Sequence, residues 1–250
     1  MTKAMRFVLI GLAAAMGVFA GRSEADVVIN NTRVVYPASE KEVTMQTVNK
    51  GANPMLVQVW IDDGNEQASS TQAKVPFTVI PPLFRLESQK GQAVRILYTG
   101  EPLPTDKESL FWVNMLEVAP NPKENSGKNM MQFAVRTRIK LLFRPRGLSA
   151  DGAFEAAKHL RWMLRTGEGG KTSVLHVDNP TPYYVNFARV GARIGEQQIE
   201  GTAGTVEPGG SSDFPIKELA GHTVADVQAD FQVISDIGAR VPYLQPMVSQ

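Results

Sequence analysis

Alternation between apolar and polar side chains is strongest in residues 130–145, MMQFAVRTRIKLLFRP. One parity carries apolar or β-branched side chains: Met131, Phe133, Val135, Thr137, Ile139, Leu141 and Phe143. The other parity is mostly basic, with two Arg before Lys140 and Arg144 after it. A period of two residues predicts a β-strand with one apolar face and one basic face. The run is long compared with the roughly three to ten residues of most strands.

Shorter β-like runs precede this strand and are separated by clusters of Gly, Pro, Asn and Asp. They cover residues 27–37, 41–50, 54–63, 76–82, 93–99 and 110–118. With the long strand these six runs make seven, and seven runs at this spacing are typical of a β-sandwich. A second set follows at KTSVLHVDN, YYVNFARV, SSDFPI and ADVQADFQVISD. Residues 153–164, AFEAAKHLRWML, have partial helical periodicity and predict a strand or a short helix.

The stretch RPRGLSADG at 144–152 predicts a linker between two sandwiches of similar size. We therefore expect an all-β protein with one domain at 26–146 and a second at 147–250. The 43% hydrophobic content is sufficient for two ordinary cores. The sequence contains no cysteine, which excludes disulfides and thiol chemistry.

Residues 1–25 have the pattern of a secretory signal peptide. Lys3 and Arg6 precede an apolar run at 7–20, and the run is followed by the small residues Ser23 and Ala25. A membrane anchor is the alternative, but a run of about 14 residues is short for a bilayer span. We predict cleavage after Ala25, with the end of VFA at residue 20 as a second possible site.

Net charge argues against nucleic-acid binding. The full chain carries +1. Removal of residues 1–25 leaves 23 basic and 24 acidic residues, a net charge of −1. A near-neutral chain is a poor candidate for a nucleic-acid partner. Any basic function must therefore be local, as in residues 136–146.

Candidate catalytic and metal-binding motifs are not convincing. His159, His176 and His222 are isolated from one another in sequence and predict structural or solvated histidines rather than metal ligands. TGEGGKTS at 166–173 lacks the first glycine of a phosphate loop and predicts a glycine-rich hairpin turn. Asp62 and Asp63 precede Gly64 in a predicted turn. We expect no catalytic activity and no cofactor.

Five stretches together resemble the periplasmic pilus-assembly chaperones, the PapD-like family. They are NTRVVYP, PPLFRLE, DKESLFWVNMLEV, RTRIKLLFRP and NPTPYYV, in this order along residues 31–185. The resemblance implies two immunoglobulin-like domains in an L-shape with a cleft between them. It also implies a client: a pilin subunit that lacks the last strand of its own sandwich and is completed by the chaperone.

Specific roles follow from the resemblance. Met131, Phe133 and Val135 would insert into the open groove of the subunit, whereas the residue pattern alone would make them ordinary core residues. Arg33 and Lys140 would hold the C-terminal carboxylate of the subunit, whereas the pattern alone would make them exposed strand residues. Lys140 has the opposite parity to the three donor residues, and strand twist or a client wrapped around the cleft would reconcile the two roles.

The resemblance further implies an interdomain ion network of Glu108, Arg144 and Asp236 that sets the angle between the domains. It suggests a cis bond at Ile80–Pro81. The short connection at 119–129 and the missing cysteine pair resemble the short-loop branch of the family.

The implied function is a periplasmic chaperone that delivers fimbrial subunits to an outer-membrane usher. Its free strand edge could also support self-association. The main alternative is a fimbrial adhesin or structural subunit with two immunoglobulin-like domains. A secreted hydrolase is a third class, and the sequence offers no nucleophile–base arrangement for it.

Overall fold

The protein is described from a computed structural model. The described residues are 26–248, except for 68–69, 72, 121–132, 167–172, 217–218 and 220–221. The predicted signal peptide and Met131 therefore lie outside the described residues. Within the described ranges, no helix has the length and apolar character needed to cross a membrane.

Sixteen strands and one short helix make up the described part of the chain. The N-terminal half contains β1 (Val27–Ile29), β2 (Arg33–Pro37), β3 (Glu42–Asn49), β4 (Met55–Asp62), β5 (Phe77–Ile80), β6 (Leu83–Leu86), β7 (Gly91–Tyr98), β8 (Ser109–Val118) and β9 (Ala134–Arg144). The C-terminal half contains α1 (Ala150–Ala156), β10 (Arg161–Thr166), β11 (Ser173–Asp178), β12 (Val185–Ile194), β13 (Gln197–Val206), β14 (Ser211–Ile216), β15 (Gln228–Ile234) and β16 (Arg240–Pro246). Two 3-10 turns lie at Ala157–His159 and Val224–Asp226.

Each half is a sandwich of two sheets around its own core. In the N-terminal half the strand orders are β1-β3-β7-β5 and β2-β9-β8-β4-β6. In the C-terminal half they are β10-β11-β14 and β13-β12-β15-β16. The described pairings are antiparallel except that of β2 with β9, which is parallel. The all-β fold with two sandwiches is therefore confirmed.

Separate hydrophobic clusters stabilise the two sandwiches. Tyr36 and Leu141 are fully buried in the first cluster, which also contains the ring of Phe143. Trp162 and Phe231 are buried in the second cluster, with ring centroids 4.9 Å apart. No residue is shared between these clusters. The domain boundary after residue 146 stays a prediction, and the two cores on either side of it support that prediction.

The predicted elements are mostly present, with informative differences. The run 27–37 is divided between β1 and β2, which belong to different sheets. Residues 153–164, predicted as a strand or a short helix, contain both: the end of helix α1 and the start of strand β10. Ser149 caps this helix by accepting a hydrogen bond from the backbone N–H of Gly152 at 3.0 Å. The Ile80–Pro81 bond, whose isomer the sequence left open, is cis.

Three strands were missed from sequence: β6, β13 and β16. The pattern of β13 is obscured by Gly201 and Gly204, because glycine is depleted in strands. Close packing explains why glycine occupies both positions. A side chain at Gly201 would overlap the carbonyl of Val190, and one at Gly204 would overlap the ring of Phe214. Such close approach is a known reason for glycine in a strand interior.

Candidate functional site

Strand β9 carries apolar side chains beyond the sandwich to which it belongs. Ile139, Leu141 and Phe143 are 9%, 0% and 4% exposed and belong to the N-terminal core. Phe133 and Val135 have the same parity but are 70% and 40% exposed. Side chains two residues apart lie on the same face of a strand. The core-facing side of β9 therefore continues as an unburied apolar surface towards its N-terminal end.

The same half of β9 has an open edge. One edge pairs with β8 along the whole strand, from Ala134 opposite Val118 to Phe143 opposite Ser109. The other edge pairs with β2, which begins opposite Lys140. Residues 134–139 therefore have no partner on this edge among the described strands. An unpaired edge of N–H and C=O groups is a template for a strand from another chain.

Arg33 and Lys140 meet where this open edge ends. They are direct register partners in the parallel pairing of β2 with β9. Arg33 is only 6% exposed and donates a hydrogen bond from Nη1 to the Ile234 carbonyl at 3.1 Å. Within the described part of the chain, neither cation forms an ion pair with a carboxylate.

The ammonium group of Lys140 points towards the C-terminal half. Its Nζ donates hydrogen bonds to Asn186 Oδ1 and Thr205 Oγ1. It also lies 5.5 Å from the centroid of the Trp112 ring. Because the hydrogen-bond acceptors are neutral, the positive charge is solvated by dipoles and by an aromatic ring.

Burial disfavours the charged form of Lys140. Desolvation, and to a smaller extent the nearby charge of Arg33, together lower the pKa of Lys140 to about 8. Desolvation also lowers the pKa of Arg33, opposed by the carboxylate of Asp236. An anion placed between the two cations would favour both charged forms. The pair is therefore suited to bind a carboxylate.

Strand twist is not needed to explain how Lys140 and the apolar donor residues act from one strand with opposite parities. The pairing of β8 with β9 is continuous from residue 134 to residue 143, without a bulge. Ile139 and Leu141 face the N-terminal core, so Lys140 faces the other side of the sheet. That side contacts the C-terminal half through Asn186 and Thr205. The two functions expected of β9 thus belong to its two faces.

Glu108, Arg144 and Asp236 form one ion-pair cluster that joins the two halves, with Glu108 and Arg144 buried and Asp236 partly exposed. Arg144 donates from Nε to Glu108 Oε1 at 2.7 Å and from Nη1 to Asp236 Oδ2 at 2.7 Å. Glu108 also accepts from the backbone N–H of Tyr184 at 2.8 Å. Its own N–H donates to the Pro182 carbonyl at 2.9 Å. The structure brings the three predicted residues together, and their role in setting the domain angle stays a prediction.

Several contact residues were not identified from sequence. Asn186 follows directly after the NPTPYYV stretch, and this proximity was the available signal for it. Thr205 belongs to the glycine-containing strand β13 and had no signal. Both residues approach Lys140 through the tertiary arrangement of the two halves.

Asp62 has a larger role than the predicted turn. Its Oδ1 accepts from Gly64 N–H at 2.8 Å, as a turn requires, yet the residue is fully buried. It also accepts from Arg138 Nη2 at 2.6 Å and from Asn114 Nδ2 at 2.6 Å. The guanidinium of Arg138 lies 4.2 Å from the Trp112 centroid. On the basic face of β9, Arg138 is therefore paired with the carboxylate of Asp62, whereas Lys140 has no carboxylate partner among the described residues.

The histidines do not form a metal site in the part of the chain that the structure describes. His176 is buried, with Nε2 3.0 Å from Asp178 Oδ1 and Nδ1 2.5 Å from Asp213 Oδ1. This residue is held by polar contacts within the C-terminal sandwich. The strands that flank TGEGGKTS, β10 and β11, pair antiparallel, whereas the predicted turn at 167–172 lies outside the described residues.

Comparison with known families gives two consecutive matches. Residues 26–149 match the family described as "Pili and flagellar-assembly chaperone, PapD N-terminal domain". Residues 155–245 match "Pili assembly chaperone PapD, C-terminal domain". The two matches together cover most of the chain.

Individual proteins are similar over long ranges. The chaperone protein FimB/FhaD of Bordetella pertussis is 38% identical over 237 residues, covering 92% of each chain. The probable fimbrial chaperone YadV of Escherichia coli K12 is 45% identical over 173 residues, covering 68% of this chain and 69% of YadV. A crystal structure of the YadV chaperone superposes with a TM-score of 0.75 at 35% identity, covering 89% of this chain and 100% of that chain.

A solved complex is also similar. It contains the Salmonella enterica SafA pilin with the SafB chaperone. The TM-score is 0.71 at 30% identity, covering 91% of this chain and 99% of the matched chain. The structural matches and the two family matches agree on the arrangement of two immunoglobulin-like sandwiches.

Proposed function

The chain belongs to the PapD-like family of pilus-assembly chaperones, and on this premise we propose how it captures its client. The protein is a fimbrial chaperone whose partners are pilin subunits. The comparisons favour this function over an adhesin or a structural subunit, because the similar proteins are named chaperones. The geometry supports a specific mechanism with three parts: an apolar donor surface, an open strand edge and a cationic anchor.

Phe133 and Val135 form the described part of the donor surface. They are exposed in the free chaperone although they share the core-facing parity of β9. Their burial in the groove of an incomplete pilin contributes about 1.5–3 kcal/mol for each fully buried side chain. Met131 extends the same parity outside the described residues and is proposed as the third donor residue. A client that lacks one strand supplies the matching groove.

The open edge fixes the direction of the client strand. Since β2 occupies the edge of β9 from Lys140 onwards, residues 134–139 are the part of this described strand that is available for pairing. A client strand whose C-terminus lies at Arg33 and Lys140 therefore runs in the same direction as β9. Its backbone hydrogen bonds depend little on side-chain identity, which suits a chaperone with several related clients.

The single observation that carries the proposal is the pair of cations at the end of that edge. Arg33 and Lys140 are adjacent, partly or fully buried and without a carboxylate partner in the described structure. The C-terminal carboxylate of the client supplies the missing anion. Anchoring one end of the added strand also sets its register, because a slip of one residue would reverse every side chain.

We propose that this function takes place in the periplasm, after removal of residues 1–25, and that the chaperone delivers its client to an outer-membrane usher. The mechanism requires no catalytic residue and no cofactor. Incomplete packing in the chaperone–subunit complex leaves free energy that strand exchange can release. Assignment to the short-loop branch and self-association of the free form stay predictions.

Lys140→Ala tests the anchor. We expect loss of stable pilin capture in the periplasm, while the variant itself folds, because the replaced ammonium is buried at an energetic cost. Co-purification with a co-expressed pilin and circular dichroism of the free variant provide the two measurements. Lys158→Ala is the matched control, since Lys158 is exposed and pairs locally with Glu155. Normal pilin recovery with Lys140→Ala would contradict the proposal.

A further inference from the structure

A buried carboxylate lies beside the first residues that the structure describes. Glu117, on β8, is 2% exposed and accepts a hydrogen bond from the backbone N–H of Val27 at 2.6 Å. Its register partners on the two flanking strands are Val57 and Val135, which carry no charge. Within the described ranges Glu117 forms no ion pair. Glutamate is almost never fully buried without a partner, so this position calls for a cation.

The surroundings of Glu117 disfavour its charged form. Desolvation raises the pKa of the carboxyl group, and the nearby carboxylate of Asp26 raises it as well. Hydrogen bonds from the backbone of Val27 and of Asp26 act in the opposite direction, but the pKa stays above its usual value. A positive charge at the backbone nitrogen of Asp26 would therefore stabilise this carboxylate.

Asp26 is held in place beside this carboxylate. Its carbonyl accepts a hydrogen bond from the backbone N–H of Lys50 at 2.7 Å, and β1 begins at the next residue with Val27 opposite Asn49. Val27 is 1% exposed and belongs to the N-terminal core. Gly51 leaves room for the side chain of Asp26, since a Cβ at Gly51 would lie 2.3 Å from Asp26 Cγ. The fold therefore fixes the residue that directly follows the predicted cleavage site.

We infer that signal-peptide cleavage after Ala25 creates the cationic partner of Glu117, which is the α-ammonium group of Asp26. Hydrolysis of the Ala25–Asp26 peptide bond consumes one water molecule. It leaves a carboxylate on Ala25 and converts the Asp26 N–H into an ammonium group with three donors. The inference rests on the removal of residues 1–25 proposed above, and it makes the new N-terminus a part of the folded domain.

This arrangement distinguishes the two predicted cleavage sites. Cleavage after residue 20 would place the ammonium group on Gly21, up to roughly 17 Å of extended chain from Asp26. Glu117 would then keep only neutral amide donors. Cleavage after Ala25 supplies a charge-assisted hydrogen bond, which is about twice as strong as a neutral one. We therefore expect the mature protein to begin at Asp26.

N-terminal sequencing of the protein recovered from the periplasm, after expression of the full chain, tests the cleavage site. Asp26 is the expected first residue. A start at Gly21 would overturn the inference and leave the proposed client capture unaffected. Retention of residues 1–25 would overturn the inference together with the proposed periplasmic processing.

Chemical denaturation of two purified forms, beginning at Asp26 and at Gly21, tests the ion pair. We expect the unfolding equilibrium constant at neutral pH to be at least about tenfold lower for the Asp26 form, equivalent to about 1.4 kcal/mol. Glu117→Gln should abolish this difference. Glu87→Gln is the matched control and should retain it, because Glu87 is exposed and pairs locally with Arg85. Equal stability of the two forms, or an unchanged difference in Glu117→Gln, would overturn the inference.

The α-amino group provides a second measurement that remains available if Glu117→Gln does not fold. NMR titration of the Asp26 α-carbon in the form beginning at Asp26 follows its protonation. We expect the pKa of this amino group to lie well above that of an unpaired N-terminus, because the carboxylate of Glu117 favours the ammonium form. The stability that the pair contributes is then present at neutral pH and is lost as the pH rises through this raised pKa. An amino group with the pKa of an unpaired N-terminus would overturn the inference.

Discussion

The ammonium group of Lys140 lies between Arg33, the ring of Trp112 and two neutral acceptors on the C-terminal half. Desolvation and the charge of Arg33 lower its pKa to about 8, so the free chaperone holds most of this charge at neutral pH. A bound carboxylate would stabilise the charged form and raise the pKa. Binding and protonation at this residue are therefore linked.

Client capture should weaken as the pH rises through about 8, because Lys140 loses its proton in the free chaperone. A charge-assisted hydrogen bond contributes about 1.5–3 kcal/mol, so we expect roughly ten- to hundredfold weaker binding once the group is neutral. Fluorescence polarisation with a peptide that has the C-terminal sequence of a pilin measures this profile. Lys140→Arg should flatten it. An unchanged profile in that variant would assign the pH dependence to another group.

Whereas client binding should weaken as the pH rises, the contribution of Lys140 to the folding stability of the free chaperone should increase. The folded-state pKa of Lys140 is lowered from 10.5 to about 8, so burial penalises the charged form. Between these two pH values the folded protein releases the proton before the unfolded chain does, and the stability contribution rises with pH. Thermal unfolding of wild type and Lys140→Met across this range isolates the effect. A constant difference between the two proteins would refute it.

Strand β9 combines two environments in one element. Its C-terminal half is paired on both edges and contributes Leu141 and Phe143 to the core. Its N-terminal half is paired on one edge, and Phe133, which directly precedes the strand, is exposed. The alternation is continuous, so the difference arises from where the surrounding sandwich ends.

Phe133→Asp should reduce pilin capture while leaving the unfolding temperature of the free chaperone nearly unchanged. Loss of the apolar contact in the complex costs about 1.5–3 kcal/mol, and placing a carboxylate in the groove adds to this cost. Leu141→Ala is the contrasting variant, with an expected loss of about 2–5 kcal/mol in the free energy of unfolding. Capture assays and chemical denaturation measure the two effects. A large loss of stability in Phe133→Asp would make Phe133 a core residue.

Arg144 connects the two halves, because it is paired with Glu108 on one side and Asp236 on the other. The first pair is almost completely buried, and Glu108 also holds the backbone of Tyr184. Attraction to the two carboxylates outweighs the desolvation of Arg144 and raises its pKa. We expect this network to orient the two halves, because each charge needs the others in a defined geometry.

Asp236→Asn should alter the relative orientation of the halves and destabilise their interface. Loss of one partner from a buried ion pair costs about 3–5 kcal/mol. Because Asp236 is partly exposed, we expect a destabilisation of about 3 kcal/mol or less. Small-angle scattering and residual dipolar couplings report the orientation. Asp230→Asn is the matched control, because Asp230 pairs with Arg189 and Arg193 within the C-terminal sandwich. An equal change of orientation in both variants would contradict a special role for Asp236.

The sequence by itself determined the β-rich fold, the order of most strands and the two-faced character of β9. These features are local, since alternation along one strand reports which side chains can share a face. The motifs around Arg33, Lys140, Glu108 and Arg144 also identified the family before any contact was known.

Only the tertiary structure decided which residues of β9 are buried and which residues surround Lys140. Phe133 and Phe143 have the same parity and chemistry, yet one is 70% exposed and the other 4%. Their difference depends on the extent of a sandwich built from distant segments. Asn186 and Thr205 reach Lys140 across the domain interface, and Asp62 is buried by partners from two other strands. Burial and electrostatics are sums over neighbours distant in sequence, so the linear pattern could not specify them.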